Sequence, residues 1–464
     1  MFRSGIDAGS FRDPRGHVHI EDGRVFRTIT RTGIEDFRKV EATGLLRRLV
    51  DTGRLVDFRE VEPRTHGFDG SEVVALLEHP RLPFVSHPYE WGFQLLKRAA
   101  LLQLEIGLEA LRDGVTLTDA TAYNVQFVGA EPRFIDHLAF RPYRDGEFWT
   151  AHRQFCEQYL NPLLLRSKLG VPHNAWYRGA LEGIATTDLS RMLPLRKKLS
   201  WNVLTQVVLQ AHFQNASLEK SARAAVSNTR GLPRPAFESL LSSLRDWIAT
   251  LEPLGAPETV WGDYAERNSY SDRAGAQKRS FVEAFAAAVR PGLLWDVGCN
   301  TGEYSEAALR GGAGYVVGFD ADQTALDKAF ARARDTRLPF LPLFLDAANP
   351  APSQGWAERE RKGLGGRADA DALLALALVH HLAIGRNMPI AGVVDWLVSL
   401  APEGVIEFVP KSDPMVRELL RLREDIFPDY EFGQFEASLS ERAEIVRVET
   451  VADSGRQLVW YRRR

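Results

Sequence analysis

The amino-acid sequence predicts an α/β protein, in which a doubly wound parallel sheet with a terminal antiparallel hairpin follows an α+β domain with a helical lobe. Residues 293–302 (LLWDVGCNTG) have the pattern of an apolar strand that stops in a glycine turn and opens a helix. Short apolar strands follow at 315–319, 341–345, 370–379 and 405–409. Two further runs, 445–451 and 458–461, flank Asp453-Ser454-Gly455 and predict the closing hairpin.

The chain has 464 residues, enough for roughly two to four domains. Proline and glycine interrupt the helical pattern at 252–259 (EPLGAPET), so we place the main boundary there. The expected parts are a small α+β lobe (1–98), a mainly helical lobe of the same domain (99–251), a linker (252–260) and the sheet domain (261–464). Residues 351–367 carry Gly363, Gly365 and Gly366 among mixed charges and predict a helix with a flexible exit.

The composition is that of an ordinary globular protein, with 45% hydrophobic and 26% charged residues. A net charge of −3 gives no general basic field, so we expect no nucleic-acid partner. No apolar run reaches about 18 residues and the first residues have no apolar core, which predicts no membrane partner and, by default, a cytoplasmic location. The two cysteines, Cys156 and Cys299, lie far apart and do not suggest a disulfide framework.

The glycine turn has the features of a nucleotide-binding turn. Gly298 and Gly302 lack a Cβ atom and Asn300 tolerates positive φ, so the backbone can approach a ligand closely. The helix predicted at 303–309 would present free N–H groups to that ligand. After the next strand comes Asp320, where a carboxylate at a strand end can accept both hydroxyls of a ribose.

The spacing of the turn indicates which nucleotide. Dinucleotide-binding folds use G-x-G-x-x-G, whereas here Asp296 stands two residues before the first glycine. An anion beside a diphosphate would repel it, but it could hold a cationic amino group, directly or through water. At these residues the chain resembles the class I S-adenosylmethionine-dependent methyltransferases, whose motif D/E-x-G-x-G-x-G has a glycine where this chain has Asn300. A glycine turn of another α/β protein, such as an NAD-dependent dehydrogenase, is the alternative.

The resemblance implies a Rossmann-like sheet, S-adenosylmethionine as cofactor, and a role for several residues. Gly298, Asn300 and Gly302 would lie under its methionine part, and Asp320 would hold the ribose. Asp346, at the end of the third strand, would lie by the adenine, and a terminal antiparallel hairpin is a feature of this family.

The residues after the fourth strand face the methyl group in that family, so His380 or His381 is the candidate catalytic base. Since adjacent residues at a strand end point to opposite sides, we expect one of the two to face the site. One histidine could instead cap the next helix or lie hydrogen-bonded in the core. No metal site is expected, because ligand pairs on a strand need an intervening residue to share a face. Glu407 and Lys411 are further acceptor-side candidates, although Glu407 could as well be a buried structural acid.

A polar aromatic segment precedes the helix predicted at 277–289. It contains three aromatic and two polar residues: Trp261, Tyr264, Arg267, Asn268 and Tyr270. Methyltransferases of this class often cover the cofactor with such a segment. A helix that packs against the linker is an equal alternative.

The N-terminal half contains a second pattern. After an amphipathic helix at 99–111 come Asp119, then Asn124 with four residues between them, and Asp136 at the end of a second strand. This stretch resembles the catalytic loop of kinase-like phosphotransferases, in which such residues supply a base and two metal ligands. Leu117 replaces the usual histidine and His137 the usual phenylalanine, and residues 1–90 contain no glycine-rich phosphate loop.

Three interpretations of this half stay open. It could be a kinase-like fold without transfer that holds a substrate or carrier, an active small-molecule phosphotransferase, or a coincidental pattern with Asp119 capping a turn. The mostly helical pattern at 149–251 would be the helical lobe of the same domain.

The order of a kinase-like region and a C-terminal methyltransferase loosely resembles rhizobial nodulation methyltransferases. It implies a small-molecule or sugar-containing methyl acceptor. We therefore expect an S-adenosylmethionine-dependent methyltransferase; the alternatives are an inactive binding protein and a bifunctional protein with an N-terminal phosphotransferase. The acceptor atom and the oligomeric state are left open by the sequence.

Overall fold

A computed structural model describes residues 5–68, 72–208, 232–255, 272–421 and 424–464. The chain forms two compact units. The N-terminal unit comprises Met1–Phe127, Glu131–Ala256 and Gln354–Arg361, and the C-terminal unit comprises Val128–Ala130, Pro257–Ser353 and Lys362–Arg464. The segment Gln354–Arg361 therefore belongs to the N-terminal unit, although the sequence pattern placed it inside the sheet domain. Most of the expected linker and the aromatic residues at 261–270 lie outside the described residues.

A four-stranded antiparallel sheet of order β1-β2-β4-β3 opens the N-terminal half, and the pairs β5-β8 and β6-β7 follow it. The sheet is held by main-chain ladders in which β2 lies centrally and pairs with both β1 and β4. The strands are β1 (Val18–Glu21), β2 (Arg24–Thr30), β3 (Arg59–Val61), β4 (Val73–His79), β5 (Val115–Leu117), β6 (Val125–Val128), β7 (Glu131–Phe134) and β8 (Phe140–Pro142).

The helices of this half surround one long helix, α3 (Phe93–Arg112), which buries most of its residues. It crosses the lobe boundary expected at residue 98. Gly107 lets a neighbouring helix come close, since a Cβ atom there would lie 3.3 Å from Leu241 Cδ1. The other helices are α1 (Ile34–Ala42), α2 (Leu45–Asp51), α4 (His152–Phe155), α5 (Asn161–Leu169), α6 (Asn174–Gly179), α7 (Thr186–Met192), α8 (Leu195–Lys198), α9 (Trp201–Val203) and α10 (Arg234–Ala249), with π-helical turns at Cys156–Leu160 and Leu204–Val208.

The C-terminal unit is built on a seven-stranded sheet of order β11-β10-β9-β12-β13-β15-β14. Its first five strands are parallel, and β15 runs antiparallel between β13 and β14. The predicted parallel sheet with its terminal hairpin is confirmed. The strands are β9 (Leu293–Val297), β10 (Tyr315–Asp320), β11 (Phe340–Phe344), β12 (Ala372–Ala375), β13 (Glu403–Phe408), β14 (Ala443–Thr450) and β15 (Gln457–Arg463).

Helices connect most of these strands, but only short 3₁₀ turns lie between β11 and β12, and a tight turn joins β14 to β15. All five residues of β9 are buried, as expected of a central strand in a parallel sheet covered on both faces. The helices are α11 (Asp272–Val289), α12 (Glu303–Gly311), α13 (Gln323–Asp335), α14 (Ile390–Leu400), α15 (Pro414–Leu420) and α16 (Phe432–Ser440), with a π-helical turn at His381–Gly385. In the part of the chain that the structure describes, no helix has the length and apolarity that crossing a membrane requires.

The chain reverses its direction of winding between β9 and β12. From β9 it moves outward through β10 and β11, and then returns to β12 on the other side of β9. In open α/β sheets a crevice forms at such a switch point, outside the carboxyl ends of the strands. The turn after β9 and the loop after β12 flank this crevice.

Two local expectations were wrong. The strand expected at 370–379 is only the four residues of β12, because Ala377 adopts a left-handed φ of +49° that ends the extended backbone. The helix expected at 351–367 is absent from that described stretch, which has only short 3₁₀ turns at Trp356–Glu358 and Gly365–Arg367. Ala357 has a left-handed φ of +54°, and a Cβ atom at Gly363 would lie 2.6 Å from neighbouring backbone.

Substitution of Gly302 by alanine should destabilise the C-terminal unit. Gly302 has φ +80°, and a Cβ atom there would lie 2.4 Å from Phe340 Cε1. Backbone strain and overpacking together should cost about 2–4 kcal/mol, measured by urea unfolding. The matched control is Gly392→Ala, on the exposed face of α14 with no atom within 4 Å of the added carbon, which should be neutral or slightly stabilising. Equal effects of the two substitutions would contradict this account of the turn.

Candidate functional site

The glycine turn after β9 is tied to the end of the neighbouring strand. Gly298, Asn300 and Gly302 have φ values of +87°, +48° and +80°, so the turn uses the left-handed backbone that these residue types tolerate. The N–H groups of Gly298 and Cys299 both donate to Phe319 O, at 2.8 and 3.0 Å. The turn therefore has one defined position at the carboxyl end of β9, next to the end of β10.

Asp320 ends β10 and binds the turn through its side chain. Asn300 N–H donates to Oδ2 at 2.8 Å, and Asp322 N–H donates to Oδ1 at 2.8 Å. Each carboxylate oxygen can accept a second hydrogen bond, so capacity remains for two hydroxyl donors. Burial raises the pKa of Asp320 to about 6, and the backbone N–H donors oppose that shift.

Asp296, on β9, is only 1% exposed. Ser305 Oγ at the start of α12 donates to its Oδ2 at 2.6 Å, which joins the strand to the helix across the turn. Burial raises the pKa of Asp296 to about 7. The oxygens of this carboxylate are enclosed by the protein.

Asp346 follows β11, and parallel pairing brings it to the same edge of the sheet as Asp320, which lies opposite Phe344. Its Oδ1 accepts from Ala348 N–H at 3.0 Å, and Arg386 Nη2 lies 3.6 Å from Oδ2. The side chain of Asp346 is one-third exposed, so an incoming ligand can reach it.

His380 and His381 follow β12 in a helical turn, so the expectation that adjacent residues point to opposite sides was wrong. Their ring centroids are 4.0 Å apart. His380 is fully buried, and neither ring nitrogen has a hydrogen-bond partner in the described part of the chain. Burial lowers the pKa of His381 to about 4 and that of His380 well below its usual value, with His381 and Lys278 adding to the second shift. Both imidazoles are therefore neutral at pH 7, and His381 is the partly exposed one.

A cluster of four buried charged residues lies beyond this loop. Lys278 Nζ donates to Glu407 Oε2 at 2.7 Å, and Ala377 N–H donates to the same oxygen at 2.8 Å. Arg456 Nη1 lies 3.4 Å from Glu407 Oε1, and its Nε and Nη2 donate to Asp413 at 2.7 and 3.1 Å. None of the four side chains is more than 3% exposed. Two cations and two anions give this charge cluster no net charge.

Glu407 and Lys411, the two further acceptor-side candidates, both make contacts that are typical of structural residues. Glu407 is completely buried, which agrees with the structural alternative for this residue. Lys411 Nζ donates to both carboxylate oxygens of Asp425, at 2.8 and 3.0 Å, and to Phe427 O at 2.7 Å.

The sequence analysis missed Lys278, Asp413 and Arg456. A signal for Lys278 was present, because it lies three, four and seven residues before Phe281, Val282 and Phe285 on the apolar face of α11. A lysine in such a stripe requires a buried anion. Nothing local marks Arg456, whose partner Asp413 is 43 residues away in the chain.

In the N-terminal unit, the structure brings together the three residues of the second pattern. Asn124 Nδ2 donates to Asp119 Oδ1 at 3.1 Å and to Asp136 Oδ2 at 3.2 Å. Burial raises the pKa of Asp119 to about 6, and the charge of Asp136 adds to the shift. The spacing therefore corresponds to one cluster in space.

That cluster contains its own cation. Arg27 Nη2 lies 2.7 Å from Asp136 Oδ1 and 3.1 Å from Asp13 Oδ2. Arg27 is only 7% exposed, and its guanidinium neutralises the carboxylate that a metal ion would need. Among the described residues, no group of histidine, cysteine, aspartate and glutamate side chains is arranged to hold a metal ion.

The topology of the sheet, its terminal hairpin and the glycine turn with Asp320 define the C-terminal unit as a domain of the class I methyltransferase fold. No protein-family model matches the chain. The nodulation protein NoeA of Rhizobium meliloti (strain 1021) is 46% identical over 463 residues, which cover 99% of this chain and 97% of that protein. The chain belongs to the same protein family as NoeA.

Solved structures that match part of the chain include two proteins named as methyltransferases and a third, WbdD. The N-methyltransferase NodS from Bradyrhizobium japonicum WM9 is 12% identical, covers 42% of this chain and 98% of its own, and has a TM-score of 0.31. Magnesium protoporphyrin IX methyltransferase from Synechocystis PCC 6803 with bound SAM is 18% identical over 45% and 87% of the chains, with a TM-score of 0.29. WbdD, crystallised with a kinase inhibitor, is 13% identical over 44% of each chain, with a TM-score of 0.30. At these scores the fold assignment rests on the strand order of the chain itself.

Substitution of Asp296 by asparagine should stabilise the protein in a pH-dependent way. The pKa of Asp296 is about 7 in the folded protein and has an ordinary value of 3.8, so the folded state binds the proton more tightly. The contribution of this carboxyl to stability therefore falls as the pH rises from about 4 to about 7. Relative to the wild type, Asp296→Asn should gain up to about 4 kcal/mol at pH 8 and little near pH 4. Urea unfolding at several pH values measures the difference.

The control is Asp335→Asn, which removes an exposed carboxylate from α13 of the same unit. A gain for Asp296→Asn that stays constant from pH 4 to pH 8 would contradict the raised pKa.

Proposed function

We propose that the C-terminal unit is an S-adenosylmethionine-dependent methyltransferase domain. The observation that carries the proposal is the hydrogen bond of 2.8 Å between Asn300 N–H and Asp320 Oδ2 at the switch point of the sheet. It places a carboxylate with spare acceptor capacity directly beside a left-handed glycine turn, where a ribose and the rest of a nucleoside would lie side by side.

The remaining cofactor residues follow from this placement. The left-handed backbone at Gly298 and Gly302 gives the turn on which the methionine part would lie, and Asp346 lies at the adjacent strand end on the adenine side. Asp296 adds negative charge below the turn. Because Asp296 and Asp320 accept hydrogen bonds from a hydroxyl and from backbone N–H groups, the turn favours a cationic ligand over a diphosphate.

Methyl transfer needs alignment of donor and acceptor and, for a hydroxyl acceptor, removal of a proton. The loop after β12 is the part of this chain that flanks the crevice on the acceptor side. We propose His381 as the proton acceptor, since it is partly exposed while His380 is enclosed behind it. With a pKa of about 4, His381 is a weak base, so alignment is the larger contribution of the protein.

The acceptor we propose is a small molecule or a sugar-containing metabolite, and neither a nucleic acid nor a membrane. The resemblance to rhizobial nodulation methyltransferases and the relationship to a protein named for nodulation support that direction.

Calorimetric titration with S-adenosylmethionine and S-adenosylhomocysteine tests the cofactor. We expect micromolar binding of both, and Asp320→Ala should weaken it by about 1–3 kcal/mol, because the ribose hydroxyls lose their acceptor. Asp320→Asn keeps one acceptor oxygen and should lose less. Unchanged affinity of Asp320→Ala would remove this residue from the site. Binding of NAD without binding of either methionine ligand would support a dehydrogenase instead.

Alanine substitutions test the base. With any acceptor that the wild type methylates, His381→Ala should lower kcat by about 10²-fold, the contribution expected of a general base, without a matching change in cofactor affinity. If His380→Ala and His381→Ala both keep the wild-type kcat, neither residue is the base.

A second function, in the N-terminal unit, is supported by the contacts of Asn124 with Asp119 and Asp136. We propose that this unit holds a substrate or carrier without transferring phosphate, because Arg27 already neutralises Asp136. Titration of the wild-type protein with ATP and magnesium distinguishes the two cases. Magnesium-dependent ATP binding would instead support the interpretation as an active phosphotransferase.

A further inference from the structure

The charge cluster of Lys278, Glu407, Asp413 and Arg456 joins four separate segments of the C-terminal unit. Lys278 belongs to α11 and Glu407 to the end of β13, while Asp413 caps α15 and Arg456 lies in the turn of the terminal hairpin. Replacing a buried ion pair by apolar side chains of similar volume is often neutral or stabilising, because both charges lose their hydration on burial. Stability alone therefore does not account for this cluster.

The contact of Glu407 with Ala377 gives the cluster a connection to the crevice. Glu407 Oε2 accepts hydrogen bonds from both Lys278 Nζ and Ala377 N–H, at 2.7 and 2.8 Å. Ala377 has φ +49°, a left-handed conformation that is unfavourable for an alanine. The hydrogen bond to a buried carboxylate offsets that cost.

The strained residue directs the chain into the acceptor side of the crevice. β12 ends at Ala375, and the chain bends at Ala377 before it enters the helical turn with His380 and His381. An extended Ala377 would continue the strand and displace both histidines. The loop of residues 376–381 thus has its shape because Glu407 holds one backbone N–H group.

We propose that the buried pair of Lys278 and Glu407 is a positioning device for residues 376–381, which sets where the acceptor-side histidines stand relative to the methyl donor. An oxygen of the Glu407 side chain holds the loop through Ala377 N–H, and Lys278 balances the buried charge of Glu407. The link to methyl transfer rests on the function proposed above, whereas the link between Glu407 and the loop does not.

Two charge-balanced double variants separate this role from a general effect on stability. Lys278→Met with Glu407→Leu removes both charges and also the oxygen that accepts Ala377 N–H. Lys278→Met with Glu407→Gln removes the same charges and keeps an amide oxygen at that position. In both variants Arg456 retains Asp413, so no unpaired charge is buried.

Amide hydrogen exchange of the full-length protein, measured by mass spectrometry on peptides that cover residues 376–381, gives the readout. We expect the glutamine variant to keep wild-type protection and the leucine variant to exchange at least about tenfold faster in these peptides, the effect of losing one buried hydrogen bond. Equal protection in both variants, or equal loss in both, would overturn the proposal. If the leucine variant does not fold, Lys278→Met with Glu407→Ala replaces it in the same comparison.

Calorimetry on the same proteins distinguishes a failure of this proposal from a failure of the proposed function. Affinity for S-adenosylmethionine should be the same within about threefold in the two variants, because both remove Lys278, whose Nζ lies 4.8 Å from the centroid of the Tyr304 ring just after the glycine turn. The value of kcat with an acceptor of the wild type should be lower in the leucine variant than in the glutamine variant. A wild type without cofactor affinity would remove the proposed function, while the exchange result would still decide whether Glu407 holds the loop.

Discussion

Buried carboxylates at the carboxyl edge of the C-terminal sheet impose the constraint on which the site depends. Each one needs hydrogen-bond donors, because an isolated buried charge is strongly unfavourable. Asp296 obtains Ser305 from the start of α12, Asp320 obtains the N–H of Asn300 from the glycine turn, and Glu407 obtains Ala377 and Lys278. These donors belong to the turn, helix and loop that surround the crevice. The demands of the carboxylates thus determine the shape of the site.

The two sides of the crevice meet this demand differently. On the side of the glycine turn, Asp296 and Asp320 accept from a hydroxyl and from backbone N–H groups, none of which carries a compensating positive charge. On the side of the loop after β12, Glu407 and Asp413 are paired with Lys278 and Arg456, so the charges cancel. A field of one sign under the turn suits a cation such as a sulfonium. A balanced cluster behind the loop suits a part of the protein whose task is to hold backbone in place.

The N-terminal unit shows that the same types of residue can be assembled without an open site. Asp119, Asn124 and Asp136 converge as their spacing indicates, but Arg27 lies 2.7 Å from Asp136 and also pairs with Asp13. A pattern of residues in the sequence can indicate which side chains come together. It does not indicate which other side chain will pack against them.

The sequence by itself determined the strands of the C-terminal sheet, the terminal hairpin and the glycine turn with Asp320. These features depend on local physical preferences: apolar runs form buried strands, and glycine or asparagine accepts positive φ. The tertiary structure alone decided the premature end of β12, the close approach of the His380 and His381 rings and the charge cluster. Lys278 and Glu407 are 129 residues apart in the chain. Arg27 and Asp136 are also far apart in the chain, and the folding of the N-terminal unit brings them together. Such pairs form because a buried charge takes whichever partner the packed chain brings within hydrogen-bond distance, and no local pattern encodes that partner.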